Sequence, residues 1–270
     1  MFFMKTTLPV GWVKNLGLFL LAAFLVGCST VPETGRWQMK LLSSQEVTKL
    51  GLTEFEKMKA GGAVSTDQQK INMVTRVGKR IAAVAELPGA QWEFVVFEDP
   101  EPNAFCLPGG KIGVNTGIFP IALNDAGMAT IMGHEVAHAV AEHGNERMSQ
   151  AMAVQKVGQW MSGAINVEDP AVKQMAMSAY GYGSQLGTKA HSRKQESEAD
   201  HIGLLYMARA GYDPEEAVAF WERFKDYKGG GAGNVVDRYL GKFLSTHPLD
   251  DERIANLKEL MPKAKAEYRP

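Results

Sequence analysis

The chain has 270 residues, with 29 Lys and Arg against 30 Asp and Glu and a formal net charge of −1. That balance supplies no basic field to recruit nucleic acid, so no nucleic-acid partner is expected. The two cysteines, Cys28 and Cys106, leave no internal disulfide framework once Cys28 is read as a lipid anchor.

Residues 1–27 read as a lipoprotein signal peptide that is removed. Met1 to Lys14 carries Lys5 and Lys14 and no acid. Leu16 to Val26 is an apolar run of signal-peptide length, too short to span as a mature helix. It ends at Leu25-Val26-Gly27-Cys28, which resembles a bacterial lipobox. Cleavage before Cys28 leaves that cysteine lipidated and the protein anchored rather than spanning. Ser29 in place of Asp points the anchor to the outer membrane, on its periplasmic face. Losing two lysines shifts the formal charge to −3. Residues 28–39, with Pro32 and Gly35, read as a lipidated tether, and 40–270 as a single domain. No later stretch is apolar over the roughly 18 residues a membrane helix needs.

Gln45 to Ala60 and Gln68 to Glu86 read as helices separated by Gly61-Gly62. In the second, Ile71, Val74, Val77, Ile81 and Val84 recur at helical spacing and should face the core. Trp92 to Phe97 has strand composition, and Asp99-Pro100 with Pro102 turns the chain. Ala104 to Leu107 and Lys111 to Asn115 read as strands around Pro108-Gly109-Gly110. An exposed edge here can bind substrate backbone as an added strand; an ordinary hairpin is the alternative. Cys106 is a free thiol, either a buried small hydrophobe or a neighbour of the active site.

Asn124 or Asp125 can cap a helix running through Ala141. It carries Gly133-His134-Glu135-Val136-Ala137-His138, an H-E-x-x-H motif. Histidines four apart share a face and reach one ion, and Glu135 can serve as general base on a water beside it. The combination points to zinc-dependent peptide hydrolysis. A hydrolytic zinc needs three protein ligands and an open position. The metzincin third ligand is missing, because Ala141 and Gly144 stand where that pattern needs Gly and His. His143 lies about 140° around a helix from His138 and reads as a packing or supporting group rather than a ligand.

Met148 to Lys189, rich in Met and Gly, is expected to form a helical hairpin covering the cleft. Ser192 opens a second helix that runs through Ala210, with Gly211 as its C-terminal cap. Glu196 and Asp200 are four apart on one face. One carboxylate can bind zinc while the other orients a ligand histidine through its free ring N–H. Glu198 points about 200° from Glu196 and reads as solvated. Asp213-Pro214 starts a helix through Phe224, and Gly229 to Gly233 is a loop. Ser245-Thr246-His247-Pro248 begins the last helix, which carries Arg253 and ends near Leu260.

Together these pieces resemble the HtpX and CAAX-prenyl-protease type of gluzincin zinc metallopeptidase, and within it the periplasmic lipoprotein branch. The matching residues are His134-Glu135-Val136-Ala137-His138 with His143, Ser192-Arg193 with Glu196-x-x-x-Asp200, Asn103 to Gly110, and Thr246-His247-Pro248 with Arg253-Ile254. Cys106 departs from the Ala usual there. The resemblance implies an α+β, mostly helical zincin-like domain with a small sheet whose edge strand flanks the cleft. It implies one zinc ion per chain on His134, His138 and Glu196, with Glu135 as catalytic base. Asp200 would support a ligand histidine, and His247 would approach the metal or the oxyanion, or cap the zinc in a latent state. Asn103, Gly109 and Gly110 would meet substrate. The expected activity is a membrane-anchored periplasmic endopeptidase for misfolded or misassembled envelope proteins. The alternative is an assembly factor for outer-membrane proteins with a latent or structural zinc.

Overall fold

The computed structural model describes residues 28–156, 170, 192–227, 247 and 251–270. The expected signal peptide, most of the expected 148–189 cover, the expected 229–233 loop and Ser245, Thr246 and Pro248 lie outside the described residues.

Local signals set most boundaries. Helix α1 (Ser44–Gly61) starts at a capping box, with Ser43 accepting from the Glu46 N–H and Glu46 reaching back to Ser43. Helix α2 (Gln68–Ala82) is capped by Asp67 and buries Val74, Val77 and Ile81 on one face. It stops short of Glu86, its last turn tightening as the Val84 N–H reaches the Ile81 carbonyl three residues back.

The sheet contains β3 (Glu93–Phe97), β4 (Ala104–Leu107) and β5 (Lys111–Asn115), in the order β3-β5-β4. Strand β5 pairs parallel with β3, from Glu93 opposite Lys111 to Phe97 opposite Asn115, and antiparallel with β4. Gly109 and Gly110 sit at φ +87 and +80, which only glycine adopts cheaply. Their carbonyls accept from Gln91 and Glu93, and Trp92 stacks against Gly110. Both glycines are buried within the turn. Strand β4 is an edge of this sheet, and all four of its residues are buried.

After a 3₁₀ turn (Thr116–Ile118) and the short helix α3 (Phe119–Ala122), Asn124 caps α4 (Asp125–Val140) by accepting from Gly127 N–H at 2.9 Å. Helix α4 is buried on all sides from Gly127 to Val140 and forms the centre of the domain. Strand β4 and helix α2 pack on it, as does α6 (Arg193–Arg209), which Ser192 and Gln195 start with a second capping box. Helices α7 (Glu215–Asp226) and α8 (Asp251–Glu267) complete the packing through Phe220, Trp221, Phe224 and Leu257. Helix α8 runs on past Leu260 with Pro262 inside it.

Helices α4 and α6 cross where Gly133 meets Gly203. A Cβ on Gly203 would stand 2.8 Å from the His134 nitrogen and 2.9 Å from the Gly133 carbonyl carbon. Backbone-to-backbone contact at this point sets the separation between the H-E-x-x-H face and the acidic face of α6. Gly203→Ala is expected to cost about 1–3 kcal/mol by overpacking and to weaken metal binding, measured by denaturant unfolding and zinc competition.

The segment expected as a tether is instead a hairpin of β1 (Cys28–Thr30) and β2 (Trp37–Met39), in the register Cys28 opposite Met39. Pro32 and Gly35 belong to its turn, closed by Val31 N–H to Arg36 O at 2.9 Å. No helix among the described residues is long and apolar enough to cross a membrane.

Candidate metal centre

Four donors from three separate parts of the chain meet in the interior. One ligand atom each from His134, His138, Glu196 and His247 lie within 4.8 Å of one another, and all four residues are buried. His134 Nε2 is 3.1 Å from His138 Nε2. Glu196 Oε1 is 3.2 Å from His138 Nε2, and its Oε2 is 3.4 Å from His134 Nε2. The one-turn spacing on α4 supplies the two histidines, and the first turn of α6 supplies the carboxylate.

The structure separates the two acidic residues whose roles the spacing left open. Glu196 enters the donor set, whereas Asp200 Oδ1 lies 2.9 Å from His134 Nδ1. Asp200 therefore holds His134 by the ring nitrogen that faces away from the cluster. Arg253 on α8, whose role no local sequence pattern reveals, binds both acids, with Nη2 2.6 Å from Asp200 Oδ1 and Nη1 3.2 Å from Glu196 Oε2. Its guanidinium lies over the Trp221 ring at 3.6 Å, which fixes its plane.

The donor set fits zinc. Two or three imidazoles and a carboxylate suit that ion better than the oxygen-loving alternatives. Buried carboxylates without a compensating cation are costly. Glu135 Oε1 is buried with no hydrogen-bond partner among the described residues, and His247 Nε2 stands 3.8 Å from it. A polar atom left unpaired beside such a cluster is the mark of a site built for a ligand and a water.

Burial raises the Glu135 carboxyl above its ordinary value, and the positive ends of His247 and His134 only partly oppose it. Burial would also raise Glu196, but His247, His134 and His138 outweigh it and hold that carboxylate well below the usual range. At His134, burial and then Arg253 disfavour the charged ring, yet the bonds to Asp200 and Glu196 carry it to about 9 in the metal-free protein.

His143 is fully buried and does not face away from the cluster as continuous helical geometry predicts. The helix ends at Val140, and Glu142 adopts φ +50, so the chain turns before α5 (His143–Lys156) begins. The turn swings His143 back until its Nδ1 is 2.8 Å from His138 Nδ1. Glu198, read as solvated, is buried and lies 2.9 Å from His143 Nε2. The hairpin covers that face of α6 through Thr34 and Arg36, a burial that helix angle alone does not reveal. Cys106 on β4 is buried, and burial first, then the Glu135 charge, pushes its thiol up. Asn103 is half-buried at the end of β4, its carbonyl accepting from Asn115 N–H at 2.9 Å. Neither Asn103 nor the Gly109-Gly110 turn belongs to the donor cluster.

The model of Peptidase family M48 matches residues 68–261. The mitochondrial metalloendopeptidase OMA1 of Schizosaccharomyces pombe is 37% identical over 194 residues, which covers 71% of this chain and 53% of that protein. The β-barrel assembly-enhancing protease of Escherichia coli K12 is 24% identical over 258 residues, covering 90% of this chain and 51% of that protein. The human mitochondrial metalloendopeptidase OMA1 is 28% identical over 274 residues, covering 93% and 49%. The chain thus spans about half the length of these relatives.

Proposed function

The chain belongs to peptidase family M48, and from that premise we propose that it is a zinc-dependent metalloendopeptidase with Glu135 as its general base. The observation that carries this reading is the buried His134, His138, Glu196 and His247 set beside a carboxylate with an unpaired oxygen. Zinc held there would act as a Lewis acid on the scissile carbonyl and lower the pKa of water toward neutrality.

The chain's own groups do the rest. Glu135, its carboxyl raised by burial, takes a proton from the attacking water and returns it to the leaving amine. Asp200, steadied by Arg253, keeps His134 in the tautomer with Nε2 toward the cluster. His247 brings Nδ1 to 3.4 Å from His134 Nε2 and 3.2 Å from Glu196 Oε1. A third imidazole so placed, the fourth donor of the set, takes the position that water needs, which favours a closed resting state.

The substrates in this reading are misfolded or misassembled proteins of a bacterial envelope, reached from a lipid anchor at Cys28. The lipobox-like Leu25 to Cys28 supports the anchor, as does Trp37, which is 71% exposed on the strand that pairs with Cys28–Thr30. An indole suits a membrane interface. The relatives are named for OMA1 and for β-barrel assembly-enhancing protease. They support the family rather than a place beside HtpX and the CAAX-prenyl proteases.

Casein hydrolysis by the purified chain tests the activity. Cleavage is expected to vanish on chelation and return with stoichiometric zinc. Cleavage that persists in chelator would overturn the proposal.

A further inference from the structure

The nitrogen that His138 turns to the cluster is Nε2, 3.1 Å from His134 Nε2 and 3.2 Å from Glu196 Oε1. Its other nitrogen, Nδ1, lies 2.8 Å from His143 Nδ1, and His143 Nε2 lies 2.9 Å from Glu198 Oε2. A metal ligand must leave its lone pair on Nε2, which puts the His138 proton on Nδ1. His138 Nδ1–H then donates to His143 Nδ1, and His143 Nε2–H donates to the Glu198 carboxylate. The chain of donors runs in one direction and fixes both tautomers.

The far end of this chain is held by the N-terminal hairpin. Glu198 accepts from Arg36 Nε at 2.6 Å and from the Thr34 hydroxyl. The other two Arg36 nitrogens each stand 2.9 Å from an oxygen of Glu146 on α5. Glu146 in turn accepts from Gln195 on α6 at 2.8 Å. His143, Glu146 and Glu198 are all buried. A fork of donors bridging two buried carboxylates is a geometry that Arg supplies and Lys does not.

We propose that His143 and Glu198 are positioning residues for the ligand His138, and that Thr34 and Arg36 complete the relay. The hairpin directly after Cys28 is then part of the metal site rather than a spacer. This rests on the zinc reading above, and the test separates the two.

Zinc dissociation constants are measured on the full chain by competition with a chromophoric chelator. Visible absorption of the cobalt-substituted protein is recorded beside them. Lys57→Ala is the control, because Lys57 pairs only with Glu54 of its own helix α1 at 2.7 Å in the bonds described and does not touch the relay. His143→Ala and Glu198→Ala are expected to bind zinc roughly 10–100-fold more weakly, as losses of groups behind a ligand histidine do. Glu198→Gln keeps the shape and removes the charge, so it reports on the relay even where the alanine variant folds poorly. It is expected to weaken zinc and shift the cobalt bands. Arg36→Ala is expected to do the same, Arg36→Lys to recover part of the loss, and Lys57→Ala to leave affinity and spectrum unchanged. Wild-type affinity and spectrum in both Glu198→Gln and Arg36→Ala, with only a lower melting temperature, would overturn the relay while leaving the zinc site intact. A wild-type chain that binds no zinc would overturn the underlying reading instead.

Discussion

Glu135→Gln is expected to keep its zinc and lose casein hydrolysis by roughly 10²–10⁴-fold, the range for removing a general base. Glu135 sits between the two ligand histidines on α4 but is absent from the donor set, so the change leaves every ligand in place. Its Oε1 has no hydrogen-bond partner among the described residues, so no structural bond of that atom is lost. Gln has the same shape and carries no charge. Replacing a buried carboxylate that burial already penalises should leave stability unchanged or raise it. Activity and stability thus move independently, which distinguishes a lost base from a damaged fold. A variant that lost both zinc and stability would show Glu135 to be structural.

His247→Ala is expected to raise casein hydrolysis at least about tenfold, corresponding to about 1.4 kcal/mol of closure. His247 Nδ1 lies among the donors, and its Nε2 faces the Glu135 carboxylate at 3.8 Å. One ring therefore occupies both the position of the attacking water and the approach to the base. Truncation frees both at the cost of one donor, and His134, His138 and Glu196 remain as a three-ligand set of the catalytic kind. The opposite outcome is informative: a loss of about 10²–10³-fold would make His247 an oxyanion donor rather than a cap. Initial rates at matched zinc content, for wild type and variant, decide between them.

The metal centre was legible wherever one helix carried the signal. His134 and His138 are four apart, so a sequence spacing is a geometry, and the Asn124 and Ser192 caps mark where both helices start. Glu196 and Asp200 were legible as a pair, but which of them faces the cluster depends on how α6 crosses α4 at Gly133 and Gly203. That crossing has no local pattern. Glu198 was misread because helix angle assigns a face without saying what covers it, and here Thr34 and Arg36 cover it from more than a hundred positions away. His143 was placed on the wrong face because the angle argument assumed one continuous helix. The left-handed Glu142, held by Lys40 and Ser44, breaks it. The hairpin at residues 28–39 did carry a signal, since Pro32 to Gly35 is a turn sequence between two short extended runs. Its proximity to an expected lipid anchor argued for a tether instead. The strand positions within β3, β4 and β5 followed composition closely, but the parallel pairing of β3 with β5 comes from the path of the chain, which no strand-level pattern encodes.

The most direct test of the account compares His247→Ala with His247→Ala/Glu135→Gln, quantifying bound zinc and casein cleavage on the same preparations. One zinc per chain is expected in both, with rapid cleavage by the first and almost none by the second. Equal cleavage by both, or an absence of zinc from an active His247→Ala protein, would contradict it.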